Sequence, residues 1–155
     1  MAEKMLSAPA PEFLEHLVKV FNTSEMLRHF DAVIEFPDDE RVRATVPEVK
    51  PYMHGGLQGA AVNGGIINAL LDLVIGMTGL VRGREARSAT VQMSVSFLRP
   101  LTGTKVVAEG WIEKGGATLL FSAGHVLDAE GNVCATATGV VRLIAGKGAI
   151  GGVTL

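Results

Sequence analysis

Between Ile66 and Met77 apolar side chains are spread right round a helical axis. Ile66, Ile67, Ala69, Leu70, Leu71, Leu73, Val74, Ile75 and Met77 fall on every side, and only Asn68 and Asp72 interrupt them. A helix apolar all round is a buried helix. Asn68 and Asp72 stand four apart and therefore share a face. A carboxylate among such neighbours loses solvation, which has to be offset by a partner or used in chemistry.

The flanking patterns are different. In "PEFLEHLVKVF", Phe13, Leu14, Leu17, Val18 and Phe21 repeat at helical spacing, and Pro11 suits a first turn. "TSEMLRHF" reads as a second short helix capped by Thr23 or Ser24. "DAVIEF" and "RVRATV" read as strands joined by the turn residues "PDDE". "VKPYMHGGLQGAAVNGG" is a Pro- and Gly-rich loop that leads to the apolar helix. Beyond the helix, "VRGREARS" is a polar loop. In "SATVQMSVSFL", Ala89, Val91, Met93, Val95 and Phe97 alternate with Ser88, Thr90, Gln92, Ser94 and Ser96. "TKVVAEGWIE", "ATLLFSAGHVL" and "VCATATGVVRLI" complete four strand candidates, and the turns "KGG" and "DAEGN" suggest an antiparallel meander.

The outline is α+β: one long apolar helix and about six strands. A helix apolar on all sides cannot lie on a flat sheet with its back in water. The sheet must curl round it, a second subunit must cover it, or both. One domain over residues 31–144 is expected, preceded by a helical segment over 1–30 and followed by a flexible, frayed tail over 145–155. No internal repeat is visible.

Composition narrows the class. The chain has 155 residues, 48% apolar and 19% charged, which suits a globular domain with its own core. The net charge of −2, with both signs interspersed, gives no reason to expect nucleic acid. No run of about 18 consecutive apolar residues occurs, so no membrane span is expected. The start, "MAEKMLSAPAPEF", lacks the apolar core of a signal peptide, and Cys134 is the single cysteine. A cytoplasmic protein without disulfides is expected.

The candidate chemistry lies on the apolar helix. Gly65, Asn68, Ala69, Asp72, Gly76 and Gly79 form a small or polar stripe that allows close approach. Gly64 and Gly65 sit at the helix start, where unpartnered N–H groups and the helix dipole favour an oxyanion. Gly64 and Asp72 are eight residues apart, about 12 Å along the axis, so one carbonyl cannot touch both within one chain. Two such helices antiparallel about a two-fold axis would bring Gly64 of one copy to Asp72 of the other. Cys134 and His125 lie in strands and read as core and structural residues. The histidines do not cluster with cysteines or acids at metal-ligand spacing, and no G-x-S-x-G elbow or phosphate loop occurs, so no metal or cofactor is expected.

"NGGIINALLDLVIG", followed by "TVQMSVSFLRP", resembles the signature of hotdog-fold acyl-CoA thioesterases. The nearest type is that of phenylacetate degradation, within the 4-hydroxybenzoyl-CoA thioesterase superfamily. The resemblance covers roughly residues 30–144. It implies a hotdog fold, a long helix wrapped by a curled antiparallel sheet, and dimers or dimers of dimers with sites at the subunit interface. Asp72 matches the family's general base or nucleophile. Gly64 matches the glycine whose N–H polarises the thioester carbonyl, and Thr90 the hydroxyl that positions water. Asn63 stands where the family usually has His. The family's polar loop residue falls on Leu57, with Gln58 one step away. His54-Gly55-Gly56 also occurs, but the residue eight after Gly55 is Asn63, not an acid.

The expected partner is therefore an acyl-CoA, with aryl or medium- to long-chain acyl groups, hydrolysed to free acid and CoA. His54 and Gly65 are candidate substrate contacts, and Arg82, Arg84, Arg87 and Arg99 candidate phosphate contacts. Ile67, Leu71 and Met77, or Tyr52 and Met53, are candidates for the acyl pocket. A non-hydrolytic acyl-CoA binder or a hotdog enoyl-CoA hydratase is the alternative.

Overall fold

The computed structural model describes residues 11–55, 59–82, 87–144, 149–150 and 153–154. Helix α1 (Pro11–Phe21) and the short α2 (Glu25–His29) lead into strands β1 (Val33–Glu35) and β2 (Arg41–Val46). A 3-10 turn, Pro51–Met53, precedes the two-residue strands β3 (His54–Gly55) and β4 (Ala61–Val62). Helix α3 (Gly64–Arg82) follows, then β5 (Arg87–Phe97), β6 (Val106–Gly115), β7 (Leu119–Leu127) and β8 (Val133–Ile144). In the tail, β9 (Ala149–Ile150) pairs antiparallel with β10 (Val153–Thr154), while 145–148, 151–152 and 155 lie outside the described residues. The cap of α2 is Ser24, which accepts the Leu27 N–H.

One antiparallel sheet runs β1-β2-β6-β7-β8-β5. The expected meander therefore holds for β6 to β8 only. β5 does not pair with its successor β6 but lies at the far edge beside β8. The link from Leu98 to Lys105 is no tight turn; the Leu98 and Arg99 N–H groups both donate to Cys134 O, which ties its start to β8.

Helix α3 lies in the curl of this sheet. Strand glycines let it come close. A Cβ at Gly110 would stand 2.8 Å from the Val74 carbonyl, and one at Gly139 would stand 2.9 Å from Ile75 Cγ2. Leu70, Leu71, Val74 and Ile75 are fully buried against Val42, Ala44, Leu120 and Val141. Burying each such side chain contributes roughly 1.5–3 kcal/mol. The buried Thr78 hydroxyl lies 2.6 Å from Ile75 O and 2.8 Å from Ser122 Oγ, a polar tie between α3 and β7. Gly64–Val81 is long and apolar enough to cross a membrane, but more than half of it is buried inside the fold, as in a core helix.

Burial all round is corrected in one respect. Gly65, Asn68 and Asp72 are exposed, and Gly64, Ile66, Ala69, Leu73 and Gly76 only half-buried. The sheet covers the apolar arc of α3 and leaves this stripe open. Asp72 is therefore exposed within one protomer rather than buried among its apolar neighbours.

The opposite face of the sheet carries a separate polar cluster. Arg43 alternates with the buried Val42 and Ala44 and so points away from α3. Its Nε and Nη2 each donate to Glu109 Oε1 at 2.7 Å, while His125 Nε2 lies 3.1 Å from Glu109 Oε2. Burial alone would raise the Glu109 carboxyl, but the Arg43 and His125 hydrogen bonds outweigh it and hold the group below its ordinary value of 4.5. His125 is thus tied to Glu109.

Candidate active site

Asn63 organises the start of α3. Its N–H donates to Met53 O at 2.8 Å, and its Oδ1 accepts the Gly65 N–H at 2.7 Å. Its carbonyl accepts from both Ile66 and Ile67. This is an N-cap, in which a short polar side chain meets an orphan donor of the first turn. The Gly65 N–H is therefore already engaged. Among the described residues no acceptor lies against the Gly64 N–H. Gly55 makes room for the cap: a Cβ there would stand 2.4 Å from Asn63 Nδ2.

The Gly64 end opens into a cleft of about 450 Å³, lined by Gly55, Asn63, Gly64, Ile67, Phe97, Leu98, Arg99 and Leu101 among others. Phe97 is 56% exposed, and its ring edge lies 3.4 Å from where a Gly64 Cβ would be. Arg99, an exposed residue, also lines this cleft. His54 sits on β3 beside Gly55 but does not line the cleft.

Asp72 opens into a second cleft, of about 430 Å³, lined by Phe21, Asp72, Leu73, Gly76, Met77, Leu80, Arg87, Ser88 and Thr90. Thr90 and Ser88 face α3 because β5 carries a bulge. Thr90 pairs with Val141 and Gln92 with Val140, so Val91 is the extra residue. The alternation along β5 therefore changes phase. Met93 and Val95 turn inward after the bulge, Ser88 and Thr90 before it, and Val91 is left 56% exposed. Ser88 Oγ donates to Gly76 O at 2.8 Å.

The structure brings Asp72 and Thr90 together and keeps Gly64, Asn63 and Arg99 apart from them. Gln58 and Arg84 lie outside the described residues. Arg82 ends α3, with its side chain undescribed. Of the acyl-pocket candidates, Ile67 lines the Gly64 cleft and Met77 the Asp72 cleft. Leu71 and Met53 are buried in the core and line neither, and Tyr52 is exposed on the surface. Phe21, Ser88 and Phe97 were not among the candidates. Ser88 stands two residues before Thr90, the spacing that shares a strand face; nothing in the sequence points to Phe21 as a lining residue.

A family model, described as the thioesterase superfamily, matches residues 59–135. The chain belongs to the thioesterase superfamily. By class it is a thioester hydrolase. A protein of Thermoplasma acidophilum named as a candidate esterase is 24% identical over 125 residues, covering 81% of this chain and 92% of its own. Among solved structures, a thioesterase family protein from Silicibacter pomeroyi superposes with a TM-score of 0.76 at 22% identity, covering 86% of this chain and 99% of its own. The E. coli PaaI protein from the phenylacetic acid degradation operon gives 0.75 at 15% identity, covering 87% and 95%. Both have the same fold, a long helix in a curled antiparallel sheet, which is the hotdog fold.

Proposed function

We propose that the protein hydrolyses acyl-CoA thioesters at sites shared by two copies of the chain. The observation that carries this reading is the separation of the two clefts. The Gly64 donor and the Asp72–Thr90 pair open into different clefts of one protomer, yet Gly64 and Asp72 both stand along the open side of α3, with Thr90 on the neighbouring β5. A two-fold pairing of antiparallel helices along that stripe joins the Gly64 cleft of one copy to the Asp72 cleft of the other. The edge position of β5 beside the stripe, with Val91 and Phe97 exposed, supports the same pairing.

In this site the Gly64 N–H holds the oxygen of the thioester carbonyl as negative charge develops on it. Asp72 takes the proton of the attacking water, or attacks the carbonyl itself and is then released by water. Thr90, with Ser88 beside it, orients that water. CoA leaves as the thiol, with Arg99 at its phosphates. Asn63 serves by holding the first turn of α3 in place. A dimer or a dimer of dimers is the working assembly, and a reducing compartment such as the cytoplasm fits a chain with one cysteine.

The test is a free-thiol assay over aryl- and fatty-acyl-CoA. Steady release of CoA from at least one acyl class is expected. Binding of acyl-CoA with no release would leave a carrier rather than an enzyme.

A further inference from the structure

The Asp72 cleft has two kinds of wall. β5 supplies the polar side, with Arg87, Ser88 and Thr90, and α3 supplies a floor that runs from Asp72 and Leu73 through Gly76 to Met77 and Leu80. The remaining wall is Phe21, the last residue of α1, reaching the cleft from the far end of the sequence. Its ring is half-buried and packs against the core. With Leu73, Met77 and Leu80 it makes the apolar part of the cleft, next to the carboxylate.

The position of this ring is fixed from both sides. Within α1, Leu17 is fully buried and anchors the helix one turn earlier. Directly after Phe21, Asn22 is clamped to β1: its Oδ1 accepts the Ile34 N–H at 2.8 Å and its Nδ2 donates to Ile34 O at 3.3 Å. The Asn22 N–H also closes the helix onto Val18 O at 3.0 Å. A side chain held in this way is a wall rather than a flexible flap, and walls of ligand pockets set which substrates fit.

We infer that Phe21 sets the length of acyl group this enzyme accepts, by closing the apolar end of the Asp72 cleft against long unbranched chains. The inference rests on the thioesterase reading of that cleft. Aryl and medium-chain acyl groups end against the ring; longer chains have to displace it. Each added methylene that finds an apolar wall is worth a few-fold in affinity, so two of them change preference by roughly tenfold.

The test compares wild type with Phe21→Ala and Phe21→Trp. Hydrolysis is measured on butanoyl-, octanoyl-, dodecanoyl- and hexadecanoyl-CoA, and binding on the matching non-hydrolysable thioethers. Phe21→Ala is expected to raise the kcat/KM of hexadecanoyl- over octanoyl-CoA by roughly tenfold, and Phe21→Trp to lower it. The larger ring keeps α1 packed, so a folding defect in the alanine variant does not decide the outcome. A uniform change across all chain lengths in both variants would show a structural wall only and overturn the assignment. Should wild type release no thiol from any substrate, the hydrolase reading falls alone, because the thioether affinities still rank the chain lengths. The same ranking in wild type and both variants, or no binding by any of them, overturns the role of Phe21.

Discussion

Gly76 on α3 leaves space for the hydroxyl of Thr90 on β5: a Cβ at Gly76 would stand 3.0 Å from Thr90 Oγ1. One turn on, a Cβ at Gly79 would stand 2.3 Å from Ser88 Cβ. These two glycines let the edge strand lie against the helix, and so place Thr90 in the cleft of Asp72. They answer the small-residue stripe in the sequence with two different costs.

Gly76→Ala is expected to separate stability from activity. A hydroxyl at the end of a side chain can rotate away, and alanine in a helix interior gains about 1 kcal/mol over glycine. The melting temperature should hold or rise while kcat falls, because the displaced hydroxyl is the one proposed to orient water. Gly79→Ala meets the Cβ of Ser88, close to the backbone, and should destabilise by about 1–3 kcal/mol. Thermal melts and thiol release on both variants check the contrast. Full activity in Gly76→Ala would remove Thr90 from the mechanism.

Asp72→Asn should lower kcat by at least about a hundredfold, the usual worth of a general base or nucleophile. Because Asp72 lines a cleft and packs into no core, the substitution should leave stability within about 0.5 kcal/mol. Circular dichroism melts beside the thiol assay measure both. A variant that keeps most of its activity would send the search for the base elsewhere in the cleft.

Acid stability should depend on Glu109, far from the reaction. Its folded carboxyl is held below the ordinary value of 4.5, so its stabilising effect is full above that value and is lost as pH falls through the lower, folded one. At neutral pH Glu109→Gln should cost about 1 kcal/mol, or roughly 2–4 °C in Tm. The gap between the two proteins should close as the pH is lowered below 4.5. Melts over an acid series test this; a gap that stays constant would mean that Arg43 and His125 do not favour the charged form.

The sequence carried much of this architecture and lost it where position depends on pairing. Six strands and the long helix follow from periodicity, and Asp72 stands out as the one acid among apolar residues. The unbroken alternation from Ser88 to Phe97 gave no sign of the extra residue at Val91, because a bulge is a property of two strands and not of one. Without it Thr90 would share a phase with Gln92 and Ser94, on the outer face. The all-round apolar pattern of α3 likewise records residue type and not which arc a sheet covers; Ile66, Ala69 and Leu73 are apolar yet stand at the edge of the open stripe. Phe21 reads as an ordinary core position of an amphipathic helix, and only the fold brings the end of α1 to the cleft that Asp72 lines.

Sharing of the site between subunits is open to a direct test by mixing two inactive proteins. Asp72→Asn removes the acid. Gly64→Pro removes the N–H donor, and proline at a first helical position keeps the helix. Alanine would not serve here, since it retains the N–H and meets Phe97 only at an ordinary 3.4 Å. In a mixed dimer the two lesions fall together in one site. The other site joins wild-type Gly64 of one copy to wild-type Asp72 of its partner. Random exchange at equal concentrations makes half the dimers mixed, each with one working site, so about a quarter of wild-type activity should return. Were Gly64 and Asp72 to act within one chain, every site would keep a lesion and nothing would return. Exchange proven by tagged subunits without recovery of thiol release would therefore refute the shared site. It would also leave the eight-residue spacing between glycine and acid unexplained.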